Sequence, residues 1–125
     1  DWLVKFLKER VPANLGAPLA TLPRMQEVAG GIEARLAVNA RLIDSFASDF
    51  DNGFPLSAIE SNIIKLTVTN NAAAVVEDAL SLTSNHGLSR TNPLERHYRD
   101  VLCGRVHTPQ DDSTRVAAGR FALGV

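Results

Sequence analysis

Residues 22–50 have the sequence LPRMQEVAGGIEARLAVNARLIDSFASDF, which carries the longest helical pattern of the chain. Its apolar side chains recur every three or four residues, the spacing that places them on one face of an α-helix: Met25, Val28, Ile32, Leu36, Ala40, Ile43 and Ala47. The spacing predicts one helix from Leu22 to about Phe50, with Thr21 as its N-cap. At about 1.5 Å per residue this helix spans roughly 40 Å. Because other long helices must cover it, the stretch predicts an all-α bundle.

The chain on either side of this helix is also helical in pattern. Residues 1–10 predict the tail of a helix that ends before Pro12, because the residue before proline disfavours the α region. After a break at 51–55, residues 56–83 predict a helix buried on two sides. Its two apolar faces are Ile59, Ile63, Leu66, Ala73, Val76 and Leu80, and Val68, Ala72, Val75 and Ala79. This helix is therefore expected to lie at the centre of the bundle.

The remainder of the chain predicts a divided helical pass. A polar loop at 84–92 leads into a helix from Pro93 to about Arg105, and a final helix runs from Gln110 to Leu123. His107-Thr108-Pro109 separates the two. The expected fold is all-α, an up-down helical bundle with three long passes and a broken fourth, in a single domain of residues 1–125.

Composition excludes several classes of partner. The formal net charge is −1, and basic residues are scattered among acidic ones, so neither nucleic acid nor an anionic membrane surface is an expected partner. No run approaches the roughly 18 apolar residues of a membrane span. Cys103 is the only cysteine, which excludes an internal disulfide, and its apolar surroundings predict a buried thiol. A cytoplasmic protein is the expectation.

Few motifs point to chemistry on their own. His86, His97 and His107 lack the spacing of a helical metal pair, and the glycines form no dinucleotide or phosphate-binding motif, so no metal site is expected. The segment 105–112 gathers polar groups at a helix break, where free backbone amides could meet an anionic ligand. The alternative is an ordinary Asp-capped helix start. Arg90 and Arg96 likewise have an alternative role as structural ion pairs.

The late part of the chain carries a family resemblance. Pro93-Leu94-Glu95-Arg96, then Tyr98-Arg99-Asp100, a helix break, and Arg115 with Arg120 resemble the closing stretch of acyl-CoA dehydrogenases. The resemblance covers nearly the whole chain. It implies the C-terminal domain of a larger flavoenzyme, which binds FAD or FMN together with other domains and assembles as a homo-oligomer, a dimer or tetramer.

Two positions depart from the family pattern. The glutamate that removes the α-proton of an acyl-CoA in many members falls on Thr108, whose hydroxyl is too weak an acid to serve as that base. The family's glycine-rich flavin loop corresponds to residues 81–87, of which only Gly87 is retained. An acyl-CoA dehydrogenase built on this chain would take its base from an earlier helix.

These departures, together with His107, resemble the branch of two-component flavin monooxygenases, which receive reduced flavin from a flavin reductase. In that branch a histidine near the flavin assists its reaction with oxygen, and the resemblance places His107 in this role beside Thr108. It further implies that Gln110, Asp112 and Gly87 contact the flavin. The alternatives are an acyl-CoA dehydrogenase proper and a non-catalytic helical dimerisation module.

Overall fold

The computed structural model describes residues 1–54 and 56–125, and every regular element in these ranges is helical. The helices are α1 (Trp2–Glu9), α2 (Pro23–Asp51), α3 (Ala58–Thr83), α4 (Pro93–Val101), α5 (Cys103–Val106) and α6 (Asp111–Leu123). Single 3-10 turns at Leu19–Thr21 and Ser84–His86 precede α2 and follow α3. The all-α prediction is confirmed. Within these ranges the long helices are α2 and α3, with 29 and 26 residues, and α1 contributes eight residues to the predicted first pass.

Helices α2 and α3 run antiparallel and form the centre of the bundle. Arg35 pairs with Asp78, and Asn39 contacts Val68, so residue numbers rise along α2 as they fall along α3. The predicted break between them is confirmed at Asp51, where α2 ends; Pro55 of the predicted break lies outside the described residues. The pair is the up-down unit against which the other helices pack.

The two long helices begin with different caps. At α3, Ser57 Oγ accepts a hydrogen bond from Glu60 N at 3.2 Å, and Glu60 Oε2 accepts one from Ser57 N at 3.0 Å. Hydrogen bonds from the Ser57 side chain and then its backbone lower the pKa of Glu60. At α2 the predicted Thr21 cap is wrong. Leu22 is the N-cap because it precedes Pro23 and is held extended, while Thr21 Oγ1 donates to Pro18 O.

The apolar core lies where α1 meets the start of α2 and the end of α3. Its buried members are Leu7, Val28, Ile32, Ala79, Leu82 and Leu94. Trp2 and Phe6 cover this core from α1, with ring centroids 5.1 Å apart. The core therefore fixes α1, α2, α3 and α4 at one end of the molecule.

The inward face of α2 differs from its predicted stripe beyond Ile32. Leu36 and Ile43 are 45% and 50% exposed, and Ala40 and Ala47 are also exposed. The residues that face α3 instead include Arg35 and Asn39, whose side chains bond to α3. These polar bonds rotate α2 so that part of its apolar stripe lies on the surface of this chain.

The final pass is divided at two points. The helix predicted to reach Arg105 is interrupted at Leu102, which follows α4 and precedes α5. Cys103 is exposed, so the predicted buried thiol is wrong: Gly104, not Cys103, packs against α3. Helix α6 begins at Asp111, with Gln110 as its N-cap, and ends at Leu123, where Gly124 is the C-cap and has a positive φ of 70°. Among the described helices, none has the length and apolar character needed to span a membrane.

Candidate functional site

The break segment, residues 104–111, is fastened to α3 by a lysine. Lys65 Nζ donates hydrogen bonds to Gly104 O at 3.2 Å, His107 O at 2.8 Å and Pro109 O at 2.7 Å. A protonated lysine has three N–H donors and no acceptor, so all of its capacity is used on this segment. The turn between α5 and α6 is therefore held from one point on α3.

A second tether fixes the start of α6. Asn70 Nδ2 donates to Asp111 Oδ2 at 2.8 Å and to Leu66 O at 2.8 Å. Arg115 Nη2 lies 3.6 Å from the same Asp111 oxygen. Asp111 Oδ1 is buried, and no hydrogen-bond partner for it is found within the described part of the chain. The Asp111 carboxylate thus links the start of α6 to α3 through its hydrogen bond with Asn70.

Close packing accompanies these hydrogen bonds. A Cβ added at Gly104 would lie 3.1 Å from both Cβ and Cγ2 of Thr69, tighter than ordinary van der Waals contact. Thr69 is itself fixed, because its Oγ1 donates to Lys65 O at 2.9 Å. Glycine at position 104 lets α5 approach α3 closely enough for the Lys65 ammonium group to reach its carbonyls.

The structure places the predicted site residues in two groups. His107 and Thr108 are both exposed on the break segment, and His107 Nδ1 lies 3.0 Å from Thr108 O. Gln110 and Asp112 line a concavity of about 420 Å³. Its other lining residues are Ser113, Val116, Ala117 and Arg120. The structure therefore brings Gln110 and Asp112 together, at the end of the segment that carries His107.

Gly87 lies apart from this group and is buried. It follows the 3-10 turn after α3, and an added Cβ would overlap Thr83 Oγ1 and lie 2.9 Å from Leu80 Cδ2. Its contacts are with the end of α3 and with Leu94 of α4. This position gives Gly87 a packing role, and its predicted flavin contact stays a prediction.

The other charged groups of the late segment form ion pairs. Arg96 Nε lies 3.3 Å from Asp100 Oδ2, as the structural alternative for Arg96 predicts, and Arg99 Nε lies 2.9 Å from Glu95 Oε1. Within residues 1–54 and 56–125, no three His, Cys, Asp or Glu side chains are grouped as metal ligands would be.

Lys65 and Asn70 are the site residues that sequence reasoning missed. Both lie on the face of α3 that meets the late helices, and their partners are 39 to 44 residues away in sequence. Their only signal in the sequence is that polar side chains interrupt a helix with two apolar faces. That signal shows that they are buried against something, but not what they bind.

The fold and the held break segment define an all-α bundle domain that presents a short polar segment beside its last helix. Comparison with known proteins places it more narrowly. The chain belongs to the family described as acyl-CoA dehydrogenase, C-terminal domain, whose sequence model matches residues 3–115. The family predicted from the late motif is confirmed.

Individual relatives agree with this placement. YdbM of Bacillus subtilis strain 168, named provisionally as an acyl-CoA dehydrogenase, is 34% identical over 125 residues, which cover 97% of this chain and 33% of the relative. Acryloyl-CoA reductase (NADH) of Anaerotignum propionicum is 29% identical over 123 residues, 98% of this chain and 30% of the relative. The chain thus spans about a third of the length of the curated relatives it matches.

A solved structure shows the same fold. Butyryl-CoA dehydrogenase from Megasphaera elsdenii superimposes with a TM-score of 0.87 at 20% identity, covering 97% of this chain and 31% of that one. At this identity the match concerns the arrangement of helices alone.

Proposed function

We propose that residues 1–125 are the C-terminal helical domain of a larger flavin-dependent oxidoreductase that acts on an acyl thioester of coenzyme A. The observation that carries this proposal is the 34% identity, across 97% of the chain, to a relative named as an acyl-CoA dehydrogenase. The domain would supply one wall of the flavin site and part of the interface between subunits, while other domains complete the site.

The concavity beside α6 is suited to one edge of a flavin such as FAD. Gln110 offers an amide, Asp112 a carboxylate and Arg120 a guanidinium group, while Val116 and Ala117 are apolar. An anionic phosphate is a poor fit at the start of α6, because Asp111 and Asp112 already place negative charge there. The uncharged, hydrogen-bonding ring of the flavin is the better fit, and when bound it would supply the hydride acceptor of the reaction.

The break segment itself offers no free carboxylate base at its family position. Thr108 stands there, and its hydroxyl does not ionise near neutral pH. Asp111 is engaged by Asn70, and Asp112 Oδ1 accepts a hydrogen bond from Ser113 N at 2.8 Å. We therefore expect the base that removes the α-proton to come from a part of the enzyme outside this chain.

His107 is the proton-transferring group that the break segment does offer. Its Nδ1 lies 3.0 Å from Thr108 O, and a carbonyl oxygen only accepts hydrogen bonds, so Nδ1 carries the proton. In the neutral ring Nε2 is then an acceptor, free to bind a proton or a polar substrate group. We assign His107 the proton that the flavin takes up together with the hydride, while the α-proton goes to the base outside this chain. The backbone carbonyl of Thr108 orients the His107 ring.

A two-component flavin monooxygenase is the second candidate function. The observation that favours it is Thr108 in place of the family glutamate, together with an exposed histidine beside it. In this alternative the protein would take reduced flavin from a flavin reductase, and His107 would assist the reaction with oxygen.

One experiment separates the two functions. The full-length, flavin-loaded protein is mixed without oxygen with acyl-CoA thioesters of increasing chain length, and the visible absorbance of the flavin is followed. Acyl-CoA oxidation predicts bleaching and an enoyl-CoA product. If no thioester bleaches the flavin, and a reductase with oxygen instead yields an oxygenated product, the proposed function is wrong and the monooxygenase is supported.

The same assay tests His107. Replacement by alanine removes the proton-accepting Nε2, so His107→Ala is expected to slow flavin reduction by about 10²-fold, the low end of general acid–base contributions. His97→Ala is the control, because His97 is exposed on α4 and carries no proposed role. Equal rates for the two variants would remove His107 from the mechanism.

Exposed apolar residues near the end of α2, two of which (Ile43 and Phe46) line a concavity together with α3, support the subunit-interface part of the proposal. We propose that Ile43, Phe46 and Phe50 pack against a second copy in a dimer or tetramer. They are 50%, 37% and 66% exposed in this chain, and burying a large apolar side chain stabilises an interface by about 1.5–3 kcal/mol. Phe50→Glu combined with Ile43→Glu is expected to lower the sedimenting mass of the full-length protein without loss of helical circular dichroism.

Phe121→Glu is the matched control for this prediction, because Phe121 is 74% exposed but lies on α6. It should leave the mass unchanged. A double α2 variant that keeps the full oligomeric mass would show that this part of α2 does not carry the subunit interface.

A further inference from the structure

We propose that Lys65 is a positioning residue, which fixes the backbone of residues 104–109 and thereby sets His107 and Thr108 in place for the reaction. The hydrogen bonds of Lys65 are sufficient evidence that it holds this backbone. The claim that this matters for catalysis rests on the proposed function. Lys65 lies on α3 and is not among the residues that line the concavity of Gln110 and Asp112. It would act through the break segment.

The break segment does not hold its shape without contacts to the rest of the domain. Helix α5 has four residues, and an isolated helix of that length is unstable in water. His107 N donates to Cys103 O at 3.0 Å, which closes the single turn. The carbonyls of Gly104, His107 and Pro109 all bond to the one ammonium group of Lys65.

Lys65 uses its charged ammonium group for these backbone carbonyls and not for an ion pair. None of the ion pairs found in the described ranges includes Lys65. Hydrogen bonds from a charged donor are roughly twice as strong as neutral ones. The carbonyls at the end of a helical turn also carry partial negative charge, which favours a cation there. No carboxylate therefore competes with the break segment for this charge.

Two other polar contacts join α3 to the late helices, but neither one holds the residues around His107. Glu77 and Arg105 lie 3.0 Å apart, but both side chains are 47% exposed, and exposed ion pairs contribute little. Asn70 bonds Asp111, at the end of the break segment. Within residues 1–54 and 56–125, Lys65 is the α3 side chain that hydrogen-bonds residues on both sides of Thr108, so it holds His107-Thr108 in position.

The orientation of the His107 ring depends on the position of the backbone that Lys65 holds. Lys65 fixes His107 O, and the ring of the same residue is oriented by Thr108 O, the next carbonyl along the chain. Loss of the Lys65 hydrogen bonds would release the carbonyls of His107 and Pro109, on either side of Thr108, and the direction of Nε2 would no longer be fixed. A displaced proton-transfer group lowers the rate of the chemical step more than the affinity for substrate.

The test uses hydrogen exchange in the full-length, flavin-loaded protein, and so does not depend on activity. Lys65→Met removes the three donors and keeps an apolar stem of similar length. Exchange of the Arg105 and His107 amides is expected to rise by about tenfold or more, the change that follows from losing about 1.4 kcal/mol of local stability. Lys5→Met, on the exposed face of α1, is the control and should leave these amides unchanged.

Lys65→Gln provides a second variant in case the methionine variant does not fold. Its amide keeps two donors on a shorter stem, so exchange of the same amides should rise less than in a full loss of the ammonium group, but above the control. If neither variant exchanges faster than Lys5→Met between residues 104 and 109, Lys65 does not hold the segment and the proposal is overturned.

The rate of flavin reduction by the acyl-CoA tests whether the position set by Lys65 matters for catalysis. Lys65→Met is expected to lower the maximal rate about tenfold or more while the substrate concentration at half-maximal rate changes little. Faster exchange with an unchanged maximal rate would overturn the positioning role. Failure of the unmutated protein to react with any acyl-CoA would instead overturn the proposed function, while the exchange measurement would still decide whether Lys65 holds the segment.

Discussion

Gly87→Ala is expected to lower the free energy of unfolding by about 2–3 kcal/mol, the upper part of the range for overpacking a core. The backbone at Gly87 has φ −71° and ψ −21°, which alanine adopts without strain. The whole cost is therefore steric. A Cβ would overlap Thr83 Oγ1 and lie 2.9 Å from Leu80 Cδ2, and Thr83 is only 1% exposed, so it has no room to move away.

The control for Gly87 is a glycine of α6 with open space around it. A Cβ at Gly119 meets nothing within 4 Å, so Gly119→Ala should stabilise α6 by about 0.5–1 kcal/mol through helix propensity. Urea denaturation followed by circular dichroism measures both variants. The two substitutions add the same methyl group, so opposite signs of their effects would show that the contacts at Gly87, and not the added methyl group itself, cause the loss.

A double variant identifies which neighbour carries the cost. Thr83→Ala removes Oγ1, so Gly87→Ala should destabilise the protein by about 1 kcal/mol less in that background than in the unmutated one. Additive effects of the two substitutions would show that Thr83 is not the obstacle. A Gly87→Ala variant within about 0.5 kcal/mol of the unmutated protein would contradict the packing described here.

Gly87 also shows how a correct resemblance can leave a residue's role open. The family pattern singled it out as part of a flavin loop, and the structure shows a second physical reason for glycine there. Because Thr83, Leu80 and Leu94 crowd the position, glycine is required by packing whether or not a flavin lies nearby. The stability measurement concerns this packing alone and leaves the flavin prediction to ligand-binding experiments.

Periodicity predicted the helices of this chain well, because each long helix keeps an apolar face over many turns. Prolines and polar turns also marked most ends. Beyond Ile32, periodicity gave the wrong residues for the face of α2 that packs on α3, because Arg35 and Asn39 look like surface residues in the sequence. Their partners, Asp78 and Asn71, lie 43 and 32 residues further along the chain, beyond the reach of a periodicity argument.

The candidate site was predicted in part for a similar reason. The break at His107 and the carboxylates after it are local features of the sequence, and the structure places them on one segment as expected. Lys65 was not predicted as a site residue, because a lysine in an apolar helix carries no sign of three backbone carbonyls about 40 residues away. Backbone acceptors are the same for every residue type and leave no mark in a sequence.

Asn39 provides the second large effect. It is 7% exposed, its Nδ2 donates to Val68 O at 3.0 Å, and its Oδ1 accepts from Asn71 Nδ2 at 2.9 Å. Asn39→Ala removes both bonds and leaves the Asn71 amide without this partner between the two helices. Since each lost bond to a buried polar group costs about 1–3 kcal/mol, a total loss of about 2–4 kcal/mol is expected by urea denaturation.

The comparison of variants decides whether hydrogen bonding or simple volume is responsible. Asn14→Ala, at an exposed turn, should change stability by less than about 0.5 kcal/mol. Asn39→Leu restores volume but still leaves Asn71 unpaired, so it should remain less stable than the unmutated protein. If Asn39→Leu instead matches or exceeds it, the polar pair does not stabilise the α2–α3 packing. The outward rotation of Leu36 and Ile43 would then need another cause, such as a subunit packed on that face.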